Sequence, residues 1–456
     1  MKKLLLILTP VIAIMLAGCK DNGGEPGSYS HGINNPMDVR SNGKEFVQES
    51  QLQLDICKLD NSEKTLKSLR HVSRGHVFYM DYDVQFPWEE LINSDKNSRF
   101  PVHFPEGINA FNQTVDEIFF NKPMIQGEYI DPPMGCSGFV CKNQKGQLLF
   151  GRNLDGIPGI MVILFVKNPR PNEYKSVLFT NVSYVQRWNG SMLYDNDGSL
   201  LDPTLDLTVL LRQNMTIMDG INEHGLCLAA YQLPNNQQDS DEIEYPNDTK
   251  RPIAIDQHTG KEQLVWSTLH HKILSTCKTV KDVEKLFKSH DYTNLVPRTN
   301  IHWFVADANN DFCIFEYWNR YDKVNETWKD TLYVLDEDNR FISTHATPIQ
   351  VPYERFCIEN YYANPEATAT FATDFWQYQF TQKTRVHKMM SSYSPIMSET
   401  QALECLQLGN FGMNNANQLT DWSCVYNPQE MTILFNMRDD MSEVYSIDVK
   451  KDLGLQ

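Results

Sequence analysis

A cysteine, an arginine and an aspartate stand close together in the stretch GCSGFVCKNQKGQLLFGRNLDG, which covers residues 135–156. Arg152 follows Cys136 by 16 positions and Asp155 follows it by 19. The thiolate is the nucleophilic form of cysteine, and a nearby guanidinium stabilises it. One interpretation is therefore a nucleophilic cysteine with a cationic partner. The alternative is a core cysteine on a strand, with the arginine in a surface ion pair.

Two short strands must position these residues. The runs SGFVCKN and QLLFGRN are apolar and flank a turn at residues 143–146, which predicts a hairpin. Arg152 and Asp155 are three positions apart, so a strand end that bends into a loop can bring both side chains back to Cys136.

The rest of the chain predicts sheets and paired helices. Further hairpins are predicted at 301–318 and 422–438, and helical spacing covers 262–277 and 280–290. Long strands thus alternate with paired helices, and much of the sheet is antiparallel. Buried sheets with helices on the outside are the simplest packing of such elements.

The composition narrows the function classes. The 456 residues carry a formal net charge of −17, which disfavours nucleic acid or an anionic membrane surface as a partner because both attract basic proteins.

The sequence contains no HExxH, P-loop or GxSxG motif. Its ten cysteines form no CxxC pair and no zinc-like spacing, so no metal or other cofactor is expected. Burial as free thiols is the better hypothesis for the cysteines in apolar, strand-like runs, which are Cys141, Cys227, Cys313 and Cys424.

The N-terminus resembles an export signal. Lys2 and Lys3 precede an apolar run over residues 4–15, which has signal-peptide length and is too short to favour a spanning helix. The run leads into Leu-Ala-Gly-Cys, and Cys19 at this place resembles the lipidated residue of bacterial lipoproteins. A plain secretory signal is the alternative. The stretch that follows is rich in Gly, Asn, Ser and Pro, which predicts a flexible tether.

Four landmarks resemble the choloylglycine hydrolase family and, more loosely, acid ceramidase and N-acylethanolamine acid amidase. They are Cys136 with the later GRN-x-Asp, MDGINEHGLCLAAYQLP at 218–234, IHWFVADANNDFCIFEYW at 301–318, and DWSCVYNPQEMTILF at 421–435. These landmarks follow the order of the family and extend over most of residues 136–456.

The resemblance implies an N-terminal nucleophile hydrolase with an α+β fold, a four-layer αββα sandwich. It also implies self-cleavage between Gly135 and Cys136, after which the thiol attacks an amide carbonyl and the new α-amine serves as the base. A free α-amine titrates at roughly 7.7–8.0, close to working pH. In this scheme Arg152 stabilises the thiolate and Asp155 orients the amine.

Three positions depart from the pattern of the bile salt hydrolases. Gln232 stands where those enzymes have one oxyanion asparagine, and His345 or Thr344 stands where they have a second. A histidine N–H can still donate to an oxyanion, and a histidine that bonds a loop backbone is the open alternative. A later arginine of the family corresponds to Arg385 or, in another alignment, to Gln382. The departures weaken bile-salt activity more than they weaken amidase chemistry.

The second landmark also contains a predicted turn. The stretch DGINEHG, residues 219–225, is typical of a turn between strands, with glycine where φ is positive. Structural roles are therefore predicted for Asp219, Asn222, Glu223 and Gly225.

The sequence thus predicts an exported amidase that acts on a small N-acyl compound in the bacterial cell envelope, with the membrane reached only through its lipid. The predicted segments are a signal peptide at 1–18, lipidated Cys19 with its tether at 19–45, a pro-segment at 46–135 and a catalytic domain at 136–456. Bile salts, N-acyl amino acids, N-acylethanolamines and penicillin V are open as substrates. Two alternatives stay open: a surface substrate-binding lipoprotein, and a family member that keeps the fold without activity.

Overall fold

The computed structural model describes residues 59–73, 77–85, 136–156, 161–181, 210–211, 214, 217–232, 257, 259–293, 301–322, 327–335, 357–359, 389, 391–410, 419–437 and 441–455. The signal peptide, Cys19, Gly135, His345 and Arg385 lie outside these residues. What the sequence predicts for them therefore stays a prediction, as does the division of the chain into processed segments.

The described residues form strands and helices that are numbered here in chain order. The strands are β1 (Arg70–Ser73), β2 (Val77–Asp81), β3 (Ser137–Lys142), β4 (Leu148–Gly156), β5 (Met161–Val166), β6 (Ser176–Asn181), β7 (Ile217–Asn222), β8 (Cys227–Gln232), β9 (Glu262–Val265), β10 (His290–Thr293), β11 (Ile301–Ala306), β12 (Phe312–Asp322), β13 (Thr327–Leu335), β14 (Cys357–Glu359), β15 (Leu419–Asn427), β16 (Thr432–Met437) and β17 (Val444–Asp448). The helices are α1 (Ser62–Lys67), α2 (Trp266–Thr276), α3 (Val280–Ser289), α4 (Glu399–Gln407) and α5 (Val449–Asp452). No described helix is long and apolar enough to cross a membrane.

The chain divides into two compact units. The first unit comprises Met1–Ile130 and Gly159–Met218, and the second comprises Asp131–Pro158 and Asp219–Gln456. Cys136, Arg152 and Asp155 all belong to the second unit.

In the first unit, strands from the predicted pro-segment are part of a sheet. β1 pairs with β2 in antiparallel fashion, and β2 pairs in parallel with β5, with Met80 opposite Leu164. β5 in turn pairs antiparallel with β6. Val77 and Met80 of β2 are fully buried, so this segment contributes to the core rather than lying on the surface.

The second unit contains two large antiparallel sheets. The first has the strand order β7-β8-β11-β12-β13, and the second has the order β14-β3-β4-β15-β16-β17. The three predicted hairpins are confirmed, because β3 pairs with β4, β11 with β12, and β15 with β16.

The two sheets of the second unit pack face to face through aromatic side chains. The ring of Phe150 on β4 lies 4.8 Å from the ring of Phe304 on β11, and 5.9 Å from that of Tyr426 on β15, measured between centroids. Side chains alternate between the two faces of a strand. Arg152, two positions after Phe150, therefore points into the same interface.

Helices cover the outer faces of both sheets. On the first sheet, Phe287 of α3 packs on Trp303 and Phe315, with ring centroids 5.0 and 5.1 Å away. On the second sheet, Leu406 of α4 belongs to a core cluster that includes Phe139 of β3. The order of layers is helix, sheet, sheet, helix, which confirms the expected αββα sandwich.

Local sequence explains where α3 begins. The Thr279 hydroxyl oxygen accepts a hydrogen bond from the Asp282 N–H at 3.2 Å, and the Asp282 carboxylate accepts one from the Thr279 N–H at 3.0 Å. This reciprocal pair is a capping box, which satisfies N–H groups that a helix start leaves without a partner.

One part of the helical prediction is wrong. Residues 262–265 continue the apolar spacing of the following helix, yet they form β9, and α2 begins only at Trp266. β9 pairs in parallel with β10, with Leu264 opposite Tyr292. The partner strand lies beyond two helices, so this pairing is not visible in a local pattern.

Candidate active site

Strands β3 and β4 place Cys136 and Arg152 on one face of their sheet. The antiparallel register sets Gly138 opposite Arg152. Cys136 stands two positions before Gly138, so its side chain points to the same inner face. The Arg152 guanidinium interacts with the Cys136 side chain, and both residues are buried. The structure thus brings these two predicted residues together, while their catalytic roles stay predictions.

Several further contacts hold the Arg152 guanidinium. Nη2 donates to the carbonyl of Ala230 at 3.0 Å, and Nη1 donates to the carbonyl of Asn153. Nε lies 2.7 Å from Oδ2 of Asp219. Cζ lies 5.0 Å from the centroid of the Tyr231 ring, within cation–π range. Groups from both sheets of the second unit therefore fix the orientation of this side chain.

The charges around Arg152 outweigh the effect of its burial. Desolvation is the largest single effect and would lower the pKa of Arg152, but its interactions with Cys136 and Asp219 raise this pKa well above its ordinary value. Arg152 is therefore a permanent cation. A fixed cation beside a thiol favours the ionised, nucleophilic form of the sulfur.

Most of the other described cysteines are also buried. Cys141, Cys227, Cys277, Cys313, Cys405 and Cys424 are buried free thiols, which confirms that prediction for the cysteines of the strands. Burial raises the pKa of Cys277 to about 12 and that of Cys405 to about 11. It raises the pKa of Cys227 and Cys424 well above the ordinary value. These thiols stay protonated at neutral pH and are unreactive for that reason.

Asp155 lies near the end of β4, where the pairing with β15 is irregular. Thr420 stands opposite Asp155 and Trp422 stands opposite Leu154, so Asp421 is an extra residue in β15. The Thr420 hydroxyl donates to the buried Asp155 carboxylate. Such a bulge bends a strand and redirects nearby side chains. The extra residue lies in β15 rather than in β4, and the predicted approach of Asp155 to Cys136 stays a prediction.

The structure adds Asp219 to the site. Besides its ion pair with Arg152, Asp219 accepts a hydrogen bond from Trp422 Nε1 at 3.0 Å and one from the Tyr426 hydroxyl at 2.6 Å. Burial raises the pKa of Asp219, and these three partners oppose that shift. The sequence signal for this role is an aspartate in an apolar strand, together with inward aromatic residues that carry N–H and O–H groups.

The neighbouring turn has the structural character that the sequence predicts. The Asn222 side-chain amide donates to the carbonyls of Leu274 and Cys277 at 2.9 and 2.7 Å. Its oxygen accepts from the backbone N–H groups of His224 and Leu226. Gly225 has a φ of 77°, a conformation that favours glycine.

Gly138 allows the two sheets to approach closely beside Cys136. A Cβ at this position would lie 2.3 Å from the hydroxyl oxygen of Tyr231 and 2.5 Å from the carbonyl oxygen of Gly151. The Tyr231 ring contacts Arg152 on the same inner face. The absence of a side chain at Gly138 is therefore a condition for the packing around Arg152.

Gly138→Ala is expected to destabilise the protein by roughly 1–3 kcal/mol, because an added methyl group forces the packed backbone or Tyr231 to move. Gly151→Ala is the matched control, since its Cβ would meet only side-chain atoms, at 3.4 Å. Thermal denaturation of the two variants checks this expectation. Equal melting temperatures for Gly138→Ala and the wild type would contradict it.

A buried contact between a histidine and a glutamate lies along the same inner face. His302 Nδ1 is 3.0 Å from Oε2 of Glu316, and both side chains are fully buried. The His302 ring meets the Tyr231 ring edge to face, with centroids 5.7 Å apart. Polar side chains therefore continue from Arg152 through Tyr231 to this pair.

The remaining predicted site residues are not brought together by the described structure. Gln232 ends β8 and stands opposite Ile301 of β11. Gly135, His345 and Arg385 lie outside the described residues. The described contacts thus join Arg152 with Cys136, Asp219 and Tyr231, while the place of Asp155 in this site stays a prediction.

Comparison with known proteins points to the same family as the sequence landmarks. Residues 136–350 match the model of the linear amide C–N hydrolases, choloylglycine hydrolase family. A conjugated bile acid hydrolase from Clostridium perfringens is similar in structure at 14% identity and a TM-score of 0.38, over 69% of this chain and 93% of that chain. A penicillin V acylase from Agrobacterium tumefaciens is similar at 14% identity and a TM-score of 0.39, over 70% and 88%. No curated protein sequence matches significantly.

Proposed function

Residues 136–350 belong to the choloylglycine hydrolase family, and from this premise we propose that the protein hydrolyses a non-peptide N-acyl amide through Cys136 as an N-terminal nucleophile. The family match makes the protein a hydrolase of linear amide C–N bonds. The observation that supports Cys136 as its nucleophile is the Arg152 guanidinium, which is fixed by its contacts with Asp219 and with the carbonyls of Asn153 and Ala230 and interacts with the Cys136 side chain.

Self-cleavage is the first step of the proposal. The Cys136 thiol adds to the Gly135 carbonyl carbon, the peptide C–N bond breaks, and the nitrogen takes up a proton while the acyl group passes to sulfur as a thioester. Water then hydrolyses the thioester. The products are a Gly135 carboxylate and a Cys136 residue with a free thiol and a free α-amine.

Turnover uses the same thiol. The α-amine of Cys136 accepts the thiol proton, the thiolate adds to the substrate carbonyl, and the protonated amine gives its proton to the leaving amine. Water hydrolyses the resulting acyl-cysteine, with the α-amine again as the base. Arg152 stabilises the thiolate, and Asp155 accepts an N–H of the α-amine and orients it.

We further propose that the segment before the cleavage site stays attached as a separate chain. In the first unit, the backbone of β2 pairs with β5 along its whole length, and Tyr82 N–H donates to the Phe165 carbonyl at 2.9 Å. Lys167 forms an ion pair with Asp81 at 3.0 Å. Removing β2 would expose the buried Val77 and would leave backbone groups of β5 without partners, which is costly.

After cleavage, the two chains are expected to elute together in native size-exclusion chromatography and to separate in denaturing electrophoresis. Their joint elution follows from the strand pairing between β2 and β5. Elution of the longer fragment alone, in a folded state, would contradict the retention of the leading segment.

His345 is proposed as an oxyanion donor. His345→Ala is then expected to lower kcat by about 10²–10³-fold with little change in KM, because this hydrogen bond strengthens as charge develops. His345→Asn should recover much of the loss. Single-turnover acylation and thermal denaturation of both variants check this. Near-normal acylation by a less stable His345→Ala variant would instead assign His345 to loop structure.

The proposed location is the cell envelope, with a lipid on Cys19. Mass analysis of the mature protein should show a diacylglyceryl-modified Cys19 at the N-terminus, and Cys19→Ala should lack this mass. An unmodified N-terminus elsewhere in the sequence would contradict lipid anchoring. It would leave the proposed chemistry of Cys136 unaffected.

The proposed substrate class is tested with a panel of amides. Conjugated bile acids, N-acyl amino acids, N-acylethanolamines and penicillin V cover different acyl and amine groups. The wild type is expected to release amine from at least one class, and Cys136→Ala is the control for background hydrolysis. A processed wild type that hydrolyses none of them would contradict the proposed function.

A further inference from the structure

Asp219 occupies the centre of a buried hydrogen-bond network whose other members come from β4 and β15. Oδ2 lies 2.7 Å from Arg152 Nε and accepts from Trp422 Nε1 at 3.0 Å. Oδ1 accepts from the Tyr426 hydroxyl at 2.6 Å. The Cys424 sulfur lies 3.9 Å from Oδ1. Both carboxylate oxygens are therefore engaged, in a residue that is fully buried.

The strands explain why these partners converge. Trp422, Cys424 and Tyr426 are alternate residues of β15, so their side chains leave the same face. Cys424 stands directly opposite Arg152 in the pairing of β15 with β4. Asp219 projects from β7 of the facing sheet, and its carboxylate bridges the two sheets of the second unit.

We propose that Asp219 is a positioning residue, which holds the Arg152 guanidinium against Cys136 and thereby sets the reactivity of the thiol. The inference rests on the proposed function, because it concerns Cys136 as the nucleophile. The guanidinium is a rigid planar fork of five N–H donors. With Nε 2.7 Å from Oδ2 of Asp219 and the Nη atoms donating to the carbonyls of Asn153 and Ala230, the fork has a fixed place beside Cys136.

Loss of the Asp219 charge would leave the buried Arg152 cation without its carboxylate partner. A buried charge without a partner costs free energy, so the guanidinium is expected to move toward other acceptors and away from Cys136. The titratable or charged residues that the structure describes on the inner face near this network include Arg152, Asp219, Cys227, Tyr231, His302, Glu316, Cys424 and Tyr426. Arg152 is the cation among them that interacts with the Cys136 side chain.

The test is the pH dependence of Cys136 alkylation by iodoacetamide in the full chain, quantified by mass spectrometry of the peptide that contains Cys136. In Asp219→Asn, the pH of half-maximal alkylation rate is expected to rise by about one unit or more, since an opposite charge nearby shifts a titration by about 1–3 units. Asp307→Asn is the control. Asp307 is also fully buried and accepts backbone N–H groups of Val280 and Asn309, both at 2.8 Å.

The sign of the shift separates the explanations. If Asp219 acted only as a negative charge near the thiol, its removal would favour the thiolate and move the profile to lower pH, which would overturn the proposal. An unchanged profile, with only a lower melting temperature, would overturn it as well. The result that supports it is a rise in Asp219→Asn with no change in Asp307→Asn.

A second variant covers the case in which Asp219→Asn does not fold. Tyr426→Phe removes one donor to Asp219 and keeps the aromatic ring, so a smaller shift to higher pH is expected. A folded Tyr426→Phe variant with an unshifted profile would contradict the inference. Alkylation requires neither cleavage nor turnover, so an inactive or uncut wild type would count against the proposed function without deciding the role of Asp219.

Discussion

Replacing Cys136 with alanine is expected to lower kcat for amide hydrolysis by about 10⁴-fold or more, the scale on which losses of a catalytic nucleophile fall. The reason is that the Arg152 guanidinium interacts with the Cys136 side chain, whereas burial raises the pKa of Cys227 and Cys424 well above the ordinary value. Steady-state release of amine from a hydrolysed substrate of the panel measures the effect.

The control for this prediction is Cys277→Ala. Cys277 is also a buried free thiol, so the variant tests whether loss of any buried thiol lowers activity through folding. Its turnover is expected to stay near that of the wild type. A Cys136→Ala variant that keeps substantial turnover would exclude Cys136 as the nucleophile.

Asp155→Asn is expected to lower kcat by about 10²-fold or more, on the scale of losses in general base catalysis. The substitution keeps the shape of the side chain and can retain the hydrogen bond from Thr420. It removes the charge that is proposed to orient the α-amine of Cys136. The measurement is single-turnover acylation in enzyme that is already processed.

Thr420→Val is the matched control for Asp155→Asn. It removes the donor to Asp155 while leaving the carboxylate in place, and it separates loss of that hydrogen bond from loss of charge. A modest decrease in acylation rate is expected for Thr420→Val. Normal acylation by processed Asp155→Asn would show that Asp155 does not orient the base.

The hairpin of β3 and β4 can be predicted from the sequence because the residues that specify it are neighbours in the chain. The apolar runs of β3 and β4 flank a turn in which Gly146 has a φ of 76°. The pairing of Gly138 with Arg152 then follows from the short connection. Cys136 and Arg152 could therefore be identified together before the structure was known.

The Asp219 network could not be predicted in the same way, because its partners are distant in the sequence. Trp422 and Tyr426 follow Asp219 by 203 and 207 positions. Only the packing of two sheets brings β7 and β15 together. The turn sequence that follows Asp219 predicts a structural role for this residue. It gives no indication of the contact with Arg152.

The same limit applies to the leading segment and to β9. A pro-segment is expected to be separable from the enzyme. However, β2 pairs in parallel with β5, which follows the hairpin of β3 and β4 in the chain. β9 also gains its partner, β10, from beyond two helices. Parallel pairing always requires such a distant partner, and local spacing does not reveal it.

The most direct test of the account is the intact mass of the mature wild-type protein and of Cys136→Ala, measured under denaturing conditions. The account predicts two chains for the wild type, one of which begins at Cys136. It predicts one uncut chain for Cys136→Ala. An active wild type that remains a single chain across Gly135–Cys136 would contradict the claim that Cys136 acts as an N-terminal nucleophile.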